Sequence, residues 1–343
     1  MTERVNNSVM KAMTSFLGLI LLFSSLVAGP KRVWADSHAG VDSLYDVEIN
    51  GCKQKILVQA RDLNDPLLLY LHGGPGSSIM LMSHVFSQKL REHFIFVNWD
   101  QRGTAFSFHQ GMDSTKISEE QIRDDALALV KYLLKTYQKE KVYLIGHSFG
   151  TVIGLQLVAD QPDLFSAYIG VGQVVEWNRS VAITYKWLHD TLEAAGDTSG
   201  LRTIETTQFP SMDLVTKYGG HHRLSISLDS LIQSSPYYFD GYFDLLGKGR
   251  EFSQRFVGKN HRSKAVVHRS TSAIDVPLYF FEGIHDHVIA CAPQLVVEYC
   301  KSVKAPKKEV VWFYNSAHYV CVEEPDKFQD ELIRIAGENG SGE

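Results

Sequence analysis

Cysteine is scarce: Cys52, Cys291, Cys300 and Cys321 are the only four in 343 residues. Their spacing matches no zinc-binding pattern, which excludes a structural zinc site built on thiolates. In an oxidising compartment they allow at most two bridges in three connectivities, and one bridge among the three C-terminal cysteines fits as well as buried free thiols. A concentrated run of Lys and Arg is also absent, and the formal charge is -5. Phosphate neutralisation needs dense positive charge, so nucleic acid is excluded as a partner. No repeat or low-complexity tract occurs. Nor is the N-terminal apolar stretch, Phe16 to Ala28, long enough for a comfortable membrane span. It follows Arg4 and Lys11, and small-residue cleavage sites lie after Ala28 and after Ala35. Residues 1–35 read as a signal peptide and the product as exported, periplasmic or secreted; left uncleaved, the segment becomes an anchor and the one source of membrane contact.

What remains is ordinary for a soluble enzyme. Hydrophobic residues make up 44% and charged residues 21%, enough apolar material for one large core with an inserted lobe. Gly146-His147-Ser148-Phe149-Gly150 follows the apolar run Val142 to Ile145 and precedes the helix-like Thr151 to Ala159. A serine at a sharp strand-to-helix turn has its hydroxyl lifted clear of the sheet, where a histidine can reach it. Asp286 follows the strand-like Pro277 to Phe281, and His318 follows the strand-like Glu309 to Tyr314. The order Ser, Asp, His belongs to the α/β-hydrolases among the folds that use this triad. Upstream, Leu67 to Leu71 runs into His72-Gly73-Gly74-Pro75-Gly76. Backbone N–H groups of Phe149 and of Gly73 or Gly74 are the expected oxyanion donors. His285 and His287 flank Asp286, but the pair lacks a third metal ligand and is expected to face solvent; the His147 side chain is expected to point away from the nucleophile. No metal or cofactor is expected.

His72-Gly73-Gly74-Pro75-Gly76, then Trp99-Asp100-Gln101-Arg102-Gly103 after the strand Phe94 to Asn98, then the serine turn, resemble the proline iminopeptidase branch of the α/β-hydrolases. The resemblance covers nearly everything past residue 45. It implies removal of an N-terminal residue, often proline, from a peptide by an acyl-enzyme route. Two segments depart from the branch: Thr104-Ala105-Phe106-Ser107 lacks its second glycine, and Ile169-Gly170-Val171-Gly172-Gln173 replaces an R-G-I-F-like run. The machinery transfers and the substrate does not follow automatically. The first reading is an aminopeptidase of proline iminopeptidase type acting on a small peptide; the alternative is a carboxylesterase or lactonase acting on a small ester with the same triad.

Ser118-Glu119-Glu120-Gln121 is a capping box, and Ile122, Ala126, Leu129, Leu133 and Tyr137 recur at helical spacing behind it. The alternation of strands and helices predicts an α/β-hydrolase fold: a mostly parallel central sheet, helices on both faces, and a core of residues 45–171 and 274–338. About a hundred residues, 172–273, separate two strands and predict an inserted helical cap. Val181, Tyr185, Leu188 and Leu192 mark one face of a cap helix ending near Gly196. Tyr237, Tyr238, Phe239, Tyr242 and Phe243 serve either a pocket wall or the packing of cap on core. Binding a free amine requires a carboxylate; Glu176, Asp240 and Asp244 are the candidates, with Glu176 favoured by its place at the core-to-cap junction.

Overall fold

The computed structural model describes residues 40–257 and 272–340, so the export signal read in residues 1–35 lies outside the described residues. Asn50-Gly51 sets the first turn. Both residues have positive φ, 47° and 68°, the mirror-image turn whose twist matches a hairpin and which Asn-Gly adopts at least cost. It joins β1 (Val41–Ile49) to β2 (Cys52–Ala60). The sheet continues through β3 (Leu67–Leu71), β4 (Ile95–Asp100), β5 (Val142–His147), β6 (Phe165–Val171), β7 (Leu278–Gly283) and β8 (Lys308–Phe313). The strand order is 1-2-4-3-5-6-7-8. β2 runs antiparallel to β1 and β4; every pairing from β4 to β8 is parallel.

Helix α1 (Glu119–Tyr137) starts where the capping box predicts, with the Ser118 hydroxyl accepting the Gln121 N–H at 3.1 Å. Helix α2 (Phe149–Asp160) follows β5 directly. Among the described residues five helices lie between β6 and β7: α3 (Trp177–Ala194), α4 (Thr198–Thr207), α5 (Met212–Lys217), α6 (Leu228–Gln233) and α7 (Tyr242–Phe256). After β7 come α8 (Pro293–Ser302), α9 (Val320–Glu323) and α10 (Pro325–Gly340).

The strand period of two divides the core into layers. Leu67, Leu69 and Leu71 of β3 pack with Leu129 of α1, Val152 of α2 and Leu295 of α8. Leu68 and Tyr70, the alternate residues, pack with Phe328, Leu332 and Ile335 of α10 on the opposite face. Leu188, Leu192, Ile204 and Val215 form a separate small core within α3 to α5. Cap packing, not a pocket wall, explains the aromatic run: Phe106 of the core meets Tyr242 at 5.3 Å and Phe239 at 5.9 Å. All four cysteines are free, so the bridge among the C-terminal three does not form.

One polar knot lies inside this apolar frame. Arg102, at the end of β4, forks onto Asp125 of α1 through Nε at 2.7 Å and Nη2 at 2.9 Å. Asp125 also accepts from Asn50, Gln54 and Gln121, and Arg102 donates to the Ile49 and Asn50 carbonyls at 3.3 Å. The pair is buried but every lone pair has a donor, which is the condition under which a buried ion pair is tolerated. Arg102→Met fills the space yet strands the Asp125 carboxylate. It is expected to lower unfolding free energy by about 3–5 kcal/mol in denaturant titration; an unchanged midpoint would contradict the role given to the pair.

Candidate active site

The chain turns at Ser148 with φ 54° and ψ -120°, a conformation that L-residues avoid and that sharp functional turns retain. Close approach explains the glycine behind it: a Cβ on Gly150 would lie 2.2 Å from the Leu71 carbonyl oxygen. Helix α2 can therefore enter directly over the end of β3. The turn is held by Ser148 N–H to the Val171 carbonyl at 2.9 Å, and by the Thr151 hydroxyl to the Ser148 carbonyl at 2.6 Å.

Asp286 and His318 come from the turns after β7 and β8. A Cβ on Gly283 would collide with the Ala317 carbonyl oxygen at 2.0 Å, so this glycine lets the two turns touch. His318 Nδ1 lies 2.7 Å from Asp286 Oδ2, and Asp286 Oδ1 accepts the Val288 N–H at 2.9 Å. Burial lowers His318 from 6.5 to about 3, which keeps the imidazole neutral at ordinary pH. With Nδ1–H donated to Asp286, the Nε2 lone pair is left for a proton. Ser148 and His318 line one cavity of about 640 Å³, although no hydrogen bond joins them here; the side-chain contact of Ser148 Oγ is Cys291 Sγ at 4.0 Å. Such contacts often tighten only when substrate is bound.

Gly73, Gly74 and Phe149 line the same cavity. Gly73 is the nearest: a Cβ on it would sit 2.7 Å from Ser148 Cβ. What fixes this loop is the Asp100-Gln101-Arg102 corner. The Gln101 N–H donates to His72 Nε2 at 3.1 Å and the Gln101 amide donates to the His72 carbonyl at 2.8 Å. His72 Nδ1–H then donates to the Gly73 carbonyl at 2.9 Å. Burial lowers His72 to about 4, so this single tautomer persists. Asp100 accepts from Ser78 and from the Phe106 N–H, tying down the far end of the loop.

Two histidines differ from the sequence expectation. His147 does not point away: its ring lies 4.7 Å from that of His318, and its Nε2 meets the His318 carbonyl at 3.0 Å. The β8 turn packs over the end of β5 and draws this side chain into the cavity wall. His287 does not face solvent but stacks on Trp187 of α3 at 3.9 Å and 9°. The stack belongs to a clamp that sequence spacing did not reveal. The cap turn after α5 accepts the His287 N–H on the Gly220 carbonyl at 2.9 Å and the His318 N–H on the His221 carbonyl at 3.1 Å. Glu323 completes it by accepting the Arg223 N–H at 2.7 Å.

The carboxylates proposed for an amine stand elsewhere. Glu176 is the N-cap residue of α3, its side chain 30% exposed and 3.6 Å from Arg179, which itself forks onto Glu298. Asp244 pairs with Lys248 at 2.7 Å, and Asp240 is exposed. None of the three lines the cavity; Trp177, next to Glu176, does. Among the described residues the donor group closest to a metal set near the site is Asp286, Cys291 and His318, two of which are already committed to each other.

With His318 as the expected acceptor of the Ser148 proton, its protonation would stop that transfer, and burial makes that protonation harder. The rate of fluorophosphonate labelling of Ser148 is therefore expected to hold as pH falls to 6.5 and to decline only below it. A limb centred at or above 6.5 would show that burial does not govern His318.

Comparison with known proteins agrees with this geometry. A family model described as serine aminopeptidase, S33, matches residues 64–326. A probable aminopeptidase, YbaC, from Bacillus subtilis is 28% identical over 308 residues, covering 85% of this chain and 96% of that one. A putative esterase/lipase from Haemophilus influenzae is 27% identical over 154 residues, 44% of this chain and 47% of that one. The crystal structure of a proline iminopeptidase from Mycobacterium smegmatis superposes with a TM-score of 0.65 at 15% identity, covering 88% of this chain and all of that one. With its sheet order, serine turn and glycine loop, the chain belongs to the serine aminopeptidase S33 family, in the proline iminopeptidase-like branch of the α/β-hydrolases.

Proposed function

We propose that this hydrolase cleaves small esters or amides through an acyl-enzyme, with Ser148 as nucleophile, and that its substrates need no free amine. The observation that carries the reading is the Ser148 turn, which faces a cavity also lined by His318, Gly73 and Gly74. Ser148 Oγ attacks the acyl carbon while His318 Nε2 takes its proton, and Asp286 holds the imidazole in the Nδ1–H tautomer. The carbonyl oxygen gains the electron pair and is met by the N–H groups of Phe149 and of Gly73 or Gly74. Collapse breaks the bond to the leaving group, which takes the proton from His318; water then repeats the sequence and frees the acid.

The choice of substrate rests on the walls. Val174, Trp177, Phe209, Met212 and Ile289 supply apolar surface for an acyl chain. Among the described residues no carboxylate lines the cavity, and an ammonium taken from water without one is too costly. A second reading, an aminopeptidase of proline iminopeptidase type, is favoured by the name of the Bacillus relative. Glu176 is its leading amine partner, since turning away from Arg179 at the head of α3 would bring the carboxylate beside Trp177.

Ser148→Ala is expected to abolish turnover and probe labelling with the fold intact; wild-type rates in that variant would remove the serine from its role. Rates on short acyl esters, proline anilide, other aminoacyl anilides and their N-acetylated forms separate the two readings. Acyl esters and blocked anilides are expected to react at least as fast as free-amine anilides. A strict requirement for the amine, reduced by Glu176→Gln, would overturn that expectation in favour of the aminopeptidase.

A further inference from the structure

Among the described residues the cavity lining holds no Asp, Glu, Lys or Arg. One guanidinium is close enough to act on two lining side chains, His221 and Tyr319. Arg250 of α7 is exposed and, among the described residues, makes no ion pair or hydrogen bond, in contrast to Arg102, Arg179 and Arg334. It precedes Gln254 by one helical turn, so the two share a face, and Gln254 lines the cavity. A Cβ on Gly76 would lie 3.0 Å from Arg250 Cα, which puts this turn of α7 against the glycine loop.

Two more lining side chains feel the same guanidinium. His221 is lowered to about 3, first by burial, then by His318, His222 and Arg250; Tyr319 is raised to about 12 by burial, with Arg250 acting in the opposite direction. Neither ring is remote from the chemistry. His221 stands 6.1 Å from the His318 ring at 23°, and its own nitrogens make no hydrogen bond among the described residues. Tyr319 lies edge-on to His318 at 5.6 Å. The leaving atom takes its proton from His318, so side chains flanking that ring on the cavity side face the leaving group.

We propose that Arg250, with His221, Gln254 and Tyr319, forms a subsite for a carboxylate carried on the leaving-group side of the substrate. The inference deepens the hydrolase reading and rests on it. A guanidinium binds a carboxylate by charge-assisted, often bidentate hydrogen bonds. Neutral His221 can donate one more, and Gln254 and Tyr319 each offer a donor. An ammonium placed there meets the repulsion of the guanidinium. The carboxylate can belong to an alcohol leaving group, as in an acylated hydroxy acid, or to an amine leaving group, as in an acyl amino acid.

The test compares 4-butyryloxybenzoate with its neutral analogue 4-butyryloxybenzamide and its cationic analogue 4-butyryloxybenzylamine. The wild-type protein is expected to favour the benzoate over the benzamide about ten-fold in kcat/KM, with the benzylamine slowest, and added salt is expected to compress the preference. Arg250→Gln is expected to bring the benzoate-to-benzamide ratio close to one, and Arg250→Lys to restore part of it. Equal wild-type rates, or a ratio that survives Arg250→Gln, would overturn the subsite. Activity on 4-butyramidobenzoate with the same Arg250 dependence assigns the carboxylate to an amine leaving group, and its absence beside ester activity assigns it to an alcohol. Calorimetry on the Ser148→Ala protein reads the subsite without turnover. Tighter binding of 4-hydroxybenzoate than of 4-hydroxybenzamide supports it, and equal binding overturns it, whatever the hydrolytic assays show about the reaction.

Discussion

Three consecutive side chains at the end of β4 carry constraints on which most of the site depends. Asp100 accepts from Ser78, Gln101 donates to the ring Nε2 and the backbone carbonyl of His72, and Arg102 is buried against Asp125 of α1. The first two contacts fix the glycine loop at either end. The third fixes the corner itself to a helix and to the Asn50 turn. A loop of glycines has little conformational preference of its own, so its N–H groups can be aimed only by partners outside it. Pre-aimed donors cost no reorganisation when charge develops, which is the reason to spend a buried ion pair and a buried imidazole on this corner.

The turns that carry Ser148, Asp286 and His318 were legible because each lies directly after an apolar strand, where local signals are strongest. The layered core was legible for the same reason: Leu67 to Leu71 is too apolar for a half-exposed strand, and its alternate residues feed two cores. The strand β1 was only partly legible, since Val41 to Leu44 are paired by register with Leu57 to Ala60 and not by their own pattern. His147 and His287 were misread because their directions depend on segments far along the chain. The β8 turn captures one and Trp187 of the cap captures the other. Glu176 heads α3, and its orientation depends on Arg179 and Glu298, a pairing across 119 residues that no local pattern encodes.

The clamp at Gly220 to Arg223 shows how the cap bears on the chemistry without supplying a reacting atom. Its carbonyls hold the backbone of His287 and His318, one residue beyond the acid and at the base. Movement of α3 or α5 would therefore be felt at the Asp286–His318 bond through backbone hydrogen bonds, which have little slack. A substrate that wedges the cap would disturb the very pair it needs.

Electrostatics narrow the choice further. Four imidazoles, His72, His147, His221 and His318, surround or line the site, and burial lowers each of them. A neutral ring offers one donor and one acceptor, so the cavity can orient polar substrates without adding positive charge beside His318. That matters in the mechanism proposed above, in which His318 becomes an imidazolium during attack. Its stabilisation then falls to Asp286, the one carboxylate within hydrogen-bonding distance, and a second charged imidazole at His221 would oppose the proton transfer. Keeping the surrounding rings neutral reserves the local field for the single charge that the reaction creates.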